Sequence, residues 1–331
     1  MPRNEPEGAP LETARVSEPQ RAATLLRDGQ LVAFPTETVY GLGARCDNDA
    51  AVRAIYRAKG RPDDNPLIVH IGALDMLSAL SDRPPMAAYD LLDTFAPGPI
   101  TVIVPASEQV SRVTTAGLPT VGIRIPEPEP TREMLSLVGV GVAAPSANRS
   151  GRPSPTTVEA VIEDLDGRIH GVLTGAPSRI GIESSIVDLT TDPPLLLRPG
   201  AISLSQIQSI LPAARALDPR SAHSHRAPGL RHRHYAPRAA VSLIDPDEPV
   251  ARLARDEAYI STAALGIHPN AASAEQLMVY PTAEALQQDF FEALRRCDRA
   301  GFVRIIVRKP PPASDGLVGL LDRMERAAGR S

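Results

Sequence analysis

Five short β-branched runs in the first half of the chain limit the fold most: LVAFPT (31–36), LIVHI (67–71), ITVIV (100–104), TVGIRI (120–125) and VGVAA (140–144). Each is bounded by glycine, proline or polar residues and is too short for a helix, so each predicts a buried strand. Helical periodicity separates several of them. Ser17 with Pro19 opens a helix that carries Ala22, Ala23, Leu25 and Leu26 and ends at Gly29. Asp47 or Asn48 caps a second, with Ala51, Val52, Ile55 and Tyr56 on its inner face. Gly60 and Pro62 stop that helix and leave Lys59 and Arg61 at its exit. Strands alternating with amphipathic helices specify an α/β fold.

The pattern continues through a helix at 156–165, with a Thr156/Glu159 capping box, then strands at SSIVDL and LLLRP and a helix at 203–211. It breaks at 212–238, where six arginines against Asp218 give a net +5 without periodicity. VSLID, AYIS, QLMVY and FVRIIVRK then alternate with helices at 282–298 and 315–328, the pattern of a smaller parallel α/β unit. The expected organisation is a disordered lead-in over 1–16, a first α/β domain over 17–212, a basic linker or lid over 213–238 and a Rossmann-like parallel domain over 239–331.

A chain of 331 residues can bury two cores, and its net charge of −4 gives no general attraction to nucleic acid, so any polyanion site must be local. Cys46 and Cys297 lie far apart and outside any CxxC or zinc-ligand spacing, so free thiols in a cytoplasmic setting are the simplest reading. The N-terminus has no signal-peptide core, and no run approaches the ~20 apolar residues of a membrane span. A GxxxxGK phosphate loop, HExxH and GxSxG are all absent. Gly139-x-Gly141-x-x-Ala144 fails as a dinucleotide fingerprint because Pro145 stands where a helix should open. His223-x-His225 and His232-x-His234 have ligand-like spacing, but histidines in an arginine-rich loop are more readily solvated or phosphate-facing.

What remains is a set of oxyanion and amide groups at strand ends. Of 35 basic residues only Lys59 and Lys309 are lysines, and Lys59 lies in Lys59-Gly-Arg61-Pro62, ahead of Asn65 and His70. Its ammonium and the Arg61 guanidinium either cap a helix C-terminus or form an anion site. Pro35-Thr36-Glu37-Thr38 offers two hydroxyls and a carboxylate, Thr120 and Arg124 share one strand face, Ser146-Ala147-Asn148 leaves another strand and Ser154-Pro155 opens the next helix. In an open α/β sheet, ligands bind at the carboxyl ends of the strands.

Taken in order, FPTETVYGLG, KGRPDDNPLIVH, APGPITVIV, TVGIRIP, AAPSANRSGRPSPTT, GIESSIVDL and LLRPGAI closely resemble the threonylcarbamoyl-AMP synthases with a YrdC-type catalytic domain, over roughly residues 18–212. APGLRHRHYAP resembles the linker to the extra C-terminal domain of the long form. The resemblance implies a twisted mixed sheet with helices around a concave site, plus the smaller C-terminal domain. It further implies a nucleotidyltransferase that joins L-threonine, bicarbonate or carbon dioxide and ATP into threonylcarbamoyl-AMP and pyrophosphate. The product would pass to tRNA threonylcarbamoyl transferase machinery for tRNAs that read ANN codons.

By the same resemblance Lys59 and Arg61 would be catalytic. They would hold ATP together with Asn65, Thr120, Ser146, Asn148, Ser154, Arg198 and Tyr235, while Thr38, His70, Arg124 and Ser184 would surround threonine and its carbamate. Magnesium would ride on the ATP phosphates without a protein cage. Arg231, Arg233, His234 and Tyr235 could close the linker over the site. The chain departs from the family pattern at Ala96, Ser185, Leu230 and His232, none of them a charged ligand. The alternative class is a non-catalytic YrdC-like module that binds double-stranded RNA or tRNA. Five phenylalanines, six tyrosines and no tryptophan leave it little surface for base stacking. A carbamoyl transferase of the hydrogenase-maturation kind would need zinc-finger cysteines that the chain does not have.

Overall fold

The structure is a computed structural model of the 331-residue chain and describes residues 11–218, 235–250, 252–263, 274–311 and 315–329. Most of the linker expected over 213–238, with its His223/His225 and His232/His234 pairs, Arg231 and Arg233, lies outside the described residues.

Among the described residues, eleven strands form one mixed sheet. From edge to edge they run Ala14–Val16, Gly171–Leu173, Val32–Phe34, Gly41–Arg45, Val142–Ala143, Ile68–His70, Thr120–Arg124, Ile100–Pro105, Ser185–Asp188, Leu195–Arg198 and Arg215–Ala216. The first strand corrects the lead-in expected over 1–16: Ala14–Val16 pairs in parallel with Gly171–Leu173, and Val16 is buried there. Strand Arg215–Ala216 likewise carries regular structure into the start of the expected linker. A second sheet is wholly parallel, in the order Ala240–Ile244, Arg304–Arg308, Glu257–Thr262, Leu277–Tyr280, with helices Ala283–Ala300 and Val318–Ala327 beside it. No helix among the described residues is long and apolar enough to cross a membrane.

Strand periodicity decides which sheet face carries chemistry. Leu67, Val69 and Ile71 join the main core, as do Val121, Ile123 and Ile125 on the neighbouring strand. Ile68 and His70, and Thr120, Gly122 and Arg124, therefore point to the opposite face. Helix Asp49–Lys59 packs Ala51, Val52, Ile55 and Tyr56 into the core as expected, with the Asn48 side chain accepting from the Ala51 N–H. Gly60 follows at φ 62°, a left-handed C-cap that turns the chain sharply at the helix exit. Two expected caps differ. Helix Pro19–Arg27 has Glu18 at its N-cap with no side-chain bond, and helix Val158–Leu165 is capped by Thr157 rather than Thr156. The Thr157 hydroxyl, one residue nearer the helix, reaches the Ala160 N–H.

The two domains share a packed boundary. Val39, Ile180 and Ile182 of the first cluster with Phe290, Phe291, Leu320 and Met324 of the second. Gly181, at φ 79°, lies so close to helix Ala283–Ala300 that a Cβ would stand 2.5 Å from the Gln287 carbonyl oxygen, so only glycine fits.

Candidate active site

A cleft crosses the sheet face opposite the main core, lined by Thr36, Arg61, Pro66, Ile68, His70, Arg124, Ser146, Asn148, Glu183, Arg198 and Tyr235 among others. Because Val142–Ala143 runs antiparallel to Ile68–His70, Ser146 and Asn148 leave beside the start of that strand, while His70 and Arg124 sit at the other end. The expected shared carboxyl edge is thus replaced by a site laid across the sheet. A smaller cavity adjoins it through Pro66, Leu67 and Ile68 and is lined by Thr101, Thr120 and Gly122. Thr120 therefore belongs to this annex, two strand positions beyond Gly122 from Arg124.

Lys59 stands behind the cleft wall rather than on it. It is 2% exposed, and its Nζ donates to the carbonyl oxygens of Ser146 and Asn148, each at 2.5 Å. Burial and the nearby Arg61 charge hold its pKa well below the usual lysine value. The Ser146 hydroxyl donates to Asn148 Oδ1 at 2.5 Å, so the ammonium and the Ser-Ala-Asn turn form one unit. Arg61, two residues beyond the helix, reaches the cleft itself. Its Nε and Nη2 are buried and have no hydrogen-bond partner among the described residues. Asn65, 1% exposed, has both side-chain amide atoms unpaired in the same way.

At the other end, Arg124 Nη2 donates to Glu37 Oε1 at 2.6 Å and to Thr38 Oγ1 at 2.7 Å, and the backbone N–H of Glu127 donates to Glu37 Oε2 at 2.9 Å. Thr38 therefore orients Arg124, whose Nε stays buried without a hydrogen-bond partner among the described residues. His70 packs edge-on to Phe34 with ring centroids 5.6 Å apart, and its Nδ1 has no hydrogen-bond partner among the described residues. Burial and the Arg124 charge push its pKa down to about 3, so it is a neutral imidazole at physiological pH. The Ser184 hydroxyl lies 2.8 Å from Thr101 Oγ1, and Arg198 donates to the Ser184 carbonyl at 3.0 Å and its hydroxyl at 3.2 Å. Burial lowers the Arg198 pKa to about 10. Tyr235, at φ 64°, stacks on Phe291 with centroids 5.1 Å apart and brings the second domain to the cleft rim.

Of the residues singled out from sequence, Arg61, His70, Arg124, Ser146, Asn148, Arg198 and Tyr235 line the cleft. Lys59, Asn65, Thr38, Ser154 and Ser184 are buried outside that lining, and Thr120 lies in the annex. Ser154 does not open a helix; its hydroxyl donates to Glu183 Oε1 at 2.6 Å. Sequence reasoning missed Glu183 on the cleft wall and two fully buried arginines of the second domain, Arg295 and Arg323. Glu183 stands inside GIESSIVDL, just ahead of the strand run SSIVDL, and a lone carboxylate there carries no signal of its own. The arginines carried no local signal in an arginine-rich chain.

The family model described as Telomere recombination matches residues 24–200, and the model of the threonylcarbamoyl-AMP synthase C-terminal domain matches 202–329. The chain is 39% identical over 320 residues to the threonylcarbamoyl-AMP synthase of Pyrococcus abyssi, covering 93% of each chain. It is 38% identical to that of Bacillus subtilis, covering 95% of this chain and 94% of the relative. The crystal structure of P. abyssi Sua5 complexed with L-threonine superposes with a TM-score of 0.84 at 36% identity, covering 97% of both chains. The cleft, the second parallel domain packed against it and these matches along the whole chain place the protein in the threonylcarbamoyl-AMP synthase family, in its two-domain form.

Proposed function

We propose that the protein is a nucleotidyltransferase that joins L-threonine, bicarbonate or carbon dioxide and ATP into threonylcarbamoyl-AMP, releasing pyrophosphate. The observation that carries this reading is the convergence of Arg61, Arg124 and Arg198 on one cleft, with buried guanidinium nitrogens of Arg61 and Arg124 lacking any hydrogen-bond partner among the described residues. Buried donors of this kind are costly unless an anion meets them. The reaction brings two together, a carbamate and a triphosphate.

In this reading Arg124 pairs with the threonine carboxylate, pre-aimed by Glu37 and Thr38. His70 offers the Nδ1 lone pair of a neutral ring beside it. The free amine of threonine attacks the carbon of carbon dioxide and loses a proton, or attacks that of bicarbonate and expels water, giving a carbamate; a carbamate oxygen then attacks the α-phosphorus as the bond to pyrophosphate breaks. Arg61, Ser146 and Asn148 hold the phosphates in line and take up charge on the leaving group, while Lys59 fixes the turn from behind. ATP arrives as its magnesium complex. Tyr235 closes the rim, and the product goes to a transferase acting on tRNA. Pyrophosphate release that requires both threonine and bicarbonate tests the reading; ATP turnover indifferent to threonine would refute it.

A further inference from the structure

Glu183 is a carboxylate on the wall of a cleft whose other charged lining residues are Arg61, Arg124 and Arg198. Left alone, it would repel a triphosphate and misplace the hydroxyl that depends on it. It is paired from outside its own domain. Arg323, on helix Val318–Ala327 of the C-terminal domain, donates from Nε to Glu183 Oε2 at 2.8 Å. The other carboxylate oxygen accepts from Ser154 Oγ at 2.6 Å. Arg323 is fully buried and does not line the cleft. Its Nη1 donates to the Pro199 carbonyl at 3.1 Å and to Asp322 at 2.5 Å, and its guanidinium carbon lies 5.6 Å from the Tyr235 ring centroid. Burial alone would raise the Glu183 pKa, but the Arg323 and Arg198 charges hold it below the usual carboxylate value. The close approach is built in. Gly319, one helical turn before Arg323, would place a Cβ 2.9 Å from the Gly200 carbonyl oxygen.

We propose that Arg323 is a positioning residue of the nucleotide site: it neutralises Glu183 across the domain boundary and fixes the Ser154 hydroxyl, so that the C-terminal domain sets ATP affinity rather than the chemical step. The proposal rests on the reading that the cleft takes ATP. It also gives the second domain a defined electrostatic task, since a lone carboxylate among the anion-binding groups would oppose the ligand.

The test uses the purified full chain, with ATP affinity measured by calorimetry in the absence of threonine and threonine KM measured by pyrophosphate release. Arg323→Met weakens ATP binding on the order of tenfold and leaves threonine KM within about twofold. Adding Glu183→Gln to Arg323→Met restores most of the ATP affinity, because no unpaired carboxylate remains. Glu183→Gln alone strengthens ATP binding by about threefold, since the amide oxygen accepts from Arg323 and the amide N–H donates to Ser154 Oγ while one negative charge leaves the wall. If the pair were only structural, both single variants would lower Tm and neither would change ATP affinity of the folded protein; that result overturns the proposal. Failure of Glu183→Gln to rescue Arg323→Met also overturns it. Should Arg323→Met not fold, Glu183→Gln decides, and tenfold weaker ATP binding by that variant is the contrary result. Native protein that binds ATP but shows no threonine-dependent turnover refutes the functional reading alone, because the Arg323 proposal is read from ATP affinity.

Discussion

Lys59 Nζ donates to the Asn148 carbonyl oxygen at 2.5 Å, tying the exit of helix Asp49–Lys59 to the turn after strand Val142–Ala143. The helix-exit and anion-site readings of this lysine thus merge. The helix ends where its last side chain can support the turn that carries Ser146 and Asn148, and Gly60 lets Arg61 reach the cleft.

Lys59→Met removes this support and leaves two buried carbonyls without their donor, at a cost of about 1–3 kcal/mol each, partly offset by removing a desolvated ammonium. Turnover falls by at least about a hundredfold. The native ammonium has a lowered pKa because of burial and Arg61, with Asp164 opposing and Arg295 adding to the effect. A triphosphate at Arg61 favours the charged form and raises that pKa, so ATP binding takes up protons wherever Lys59 is partly neutral in the free protein. Calorimetry in buffers of different ionisation heat measures this uptake, and Lys59→Met abolishes it.

His70 has a folded pKa of about 3 against 6.5 for the free side chain. Between those values the unfolded chain binds the proton and the folded chain does not, so stability rises with pH. Its contribution is lost by about 1.4 kcal/mol per pH unit as pH falls below 6.5 toward 3. Denaturant unfolding over pH 4 to 7 should show this slope reduced in His70→Gln by about one proton.

Arg124→Lys keeps the charge but loses the planar fork that Glu37 and Thr38 orient. Threonine KM should rise by about tenfold or more while ATP affinity stays within about twofold. Equal losses for both substrates would remove Arg124 from the threonine end of the cleft.

Arg295, 2% exposed, donates to both Asp164 carboxylate oxygens and to the Pro153 carbonyl, and Asp164 also accepts from the Arg149 N–H at 3.0 Å. Arg295→Met leaves that carboxylate paired with Arg152 and the Arg149 N–H but strips one ion pair and the donor to Pro153, and should destabilise the protein by about 1–3 kcal/mol. Combining it with Asp164→Asn should recover part of the loss in the same unfolding measurement.

The alternation in LIVHI and TVGIRI made much of this site readable, because a period of two puts His70, Thr120 and Arg124 on one sheet face and Val69, Val121 and Ile123 in the core. Helix signals placed Lys59 and Arg61 correctly at an exit. Strand direction was not readable: nothing local shows that Val142–Ala143 runs antiparallel to Ile68–His70, so the site was expected at one edge and lies across the face. The second domain's share was also hidden. Arg295 and Arg323 look like ordinary solvated helix arginines until tertiary packing sets them against Asp164 and Glu183. The early strand Ala14–Val16 was missed because three residues beside an acidic, proline-rich segment acquire strand character only by pairing with Gly171–Leu173.

The central claim is that one cleft joins threonine, inorganic carbon and the AMP moiety of ATP. Incubating the full chain with threonine, Mg–ATP and isotopically labelled bicarbonate, then analysing the nucleotides by mass spectrometry, tests it most directly. The expected result is a threonylcarbamoyl-AMP species that carries the label, forms together with pyrophosphate and is absent when threonine is withheld. ATP consumption that yields only ADP or unlabelled AMP, with or without threonine, would contradict it.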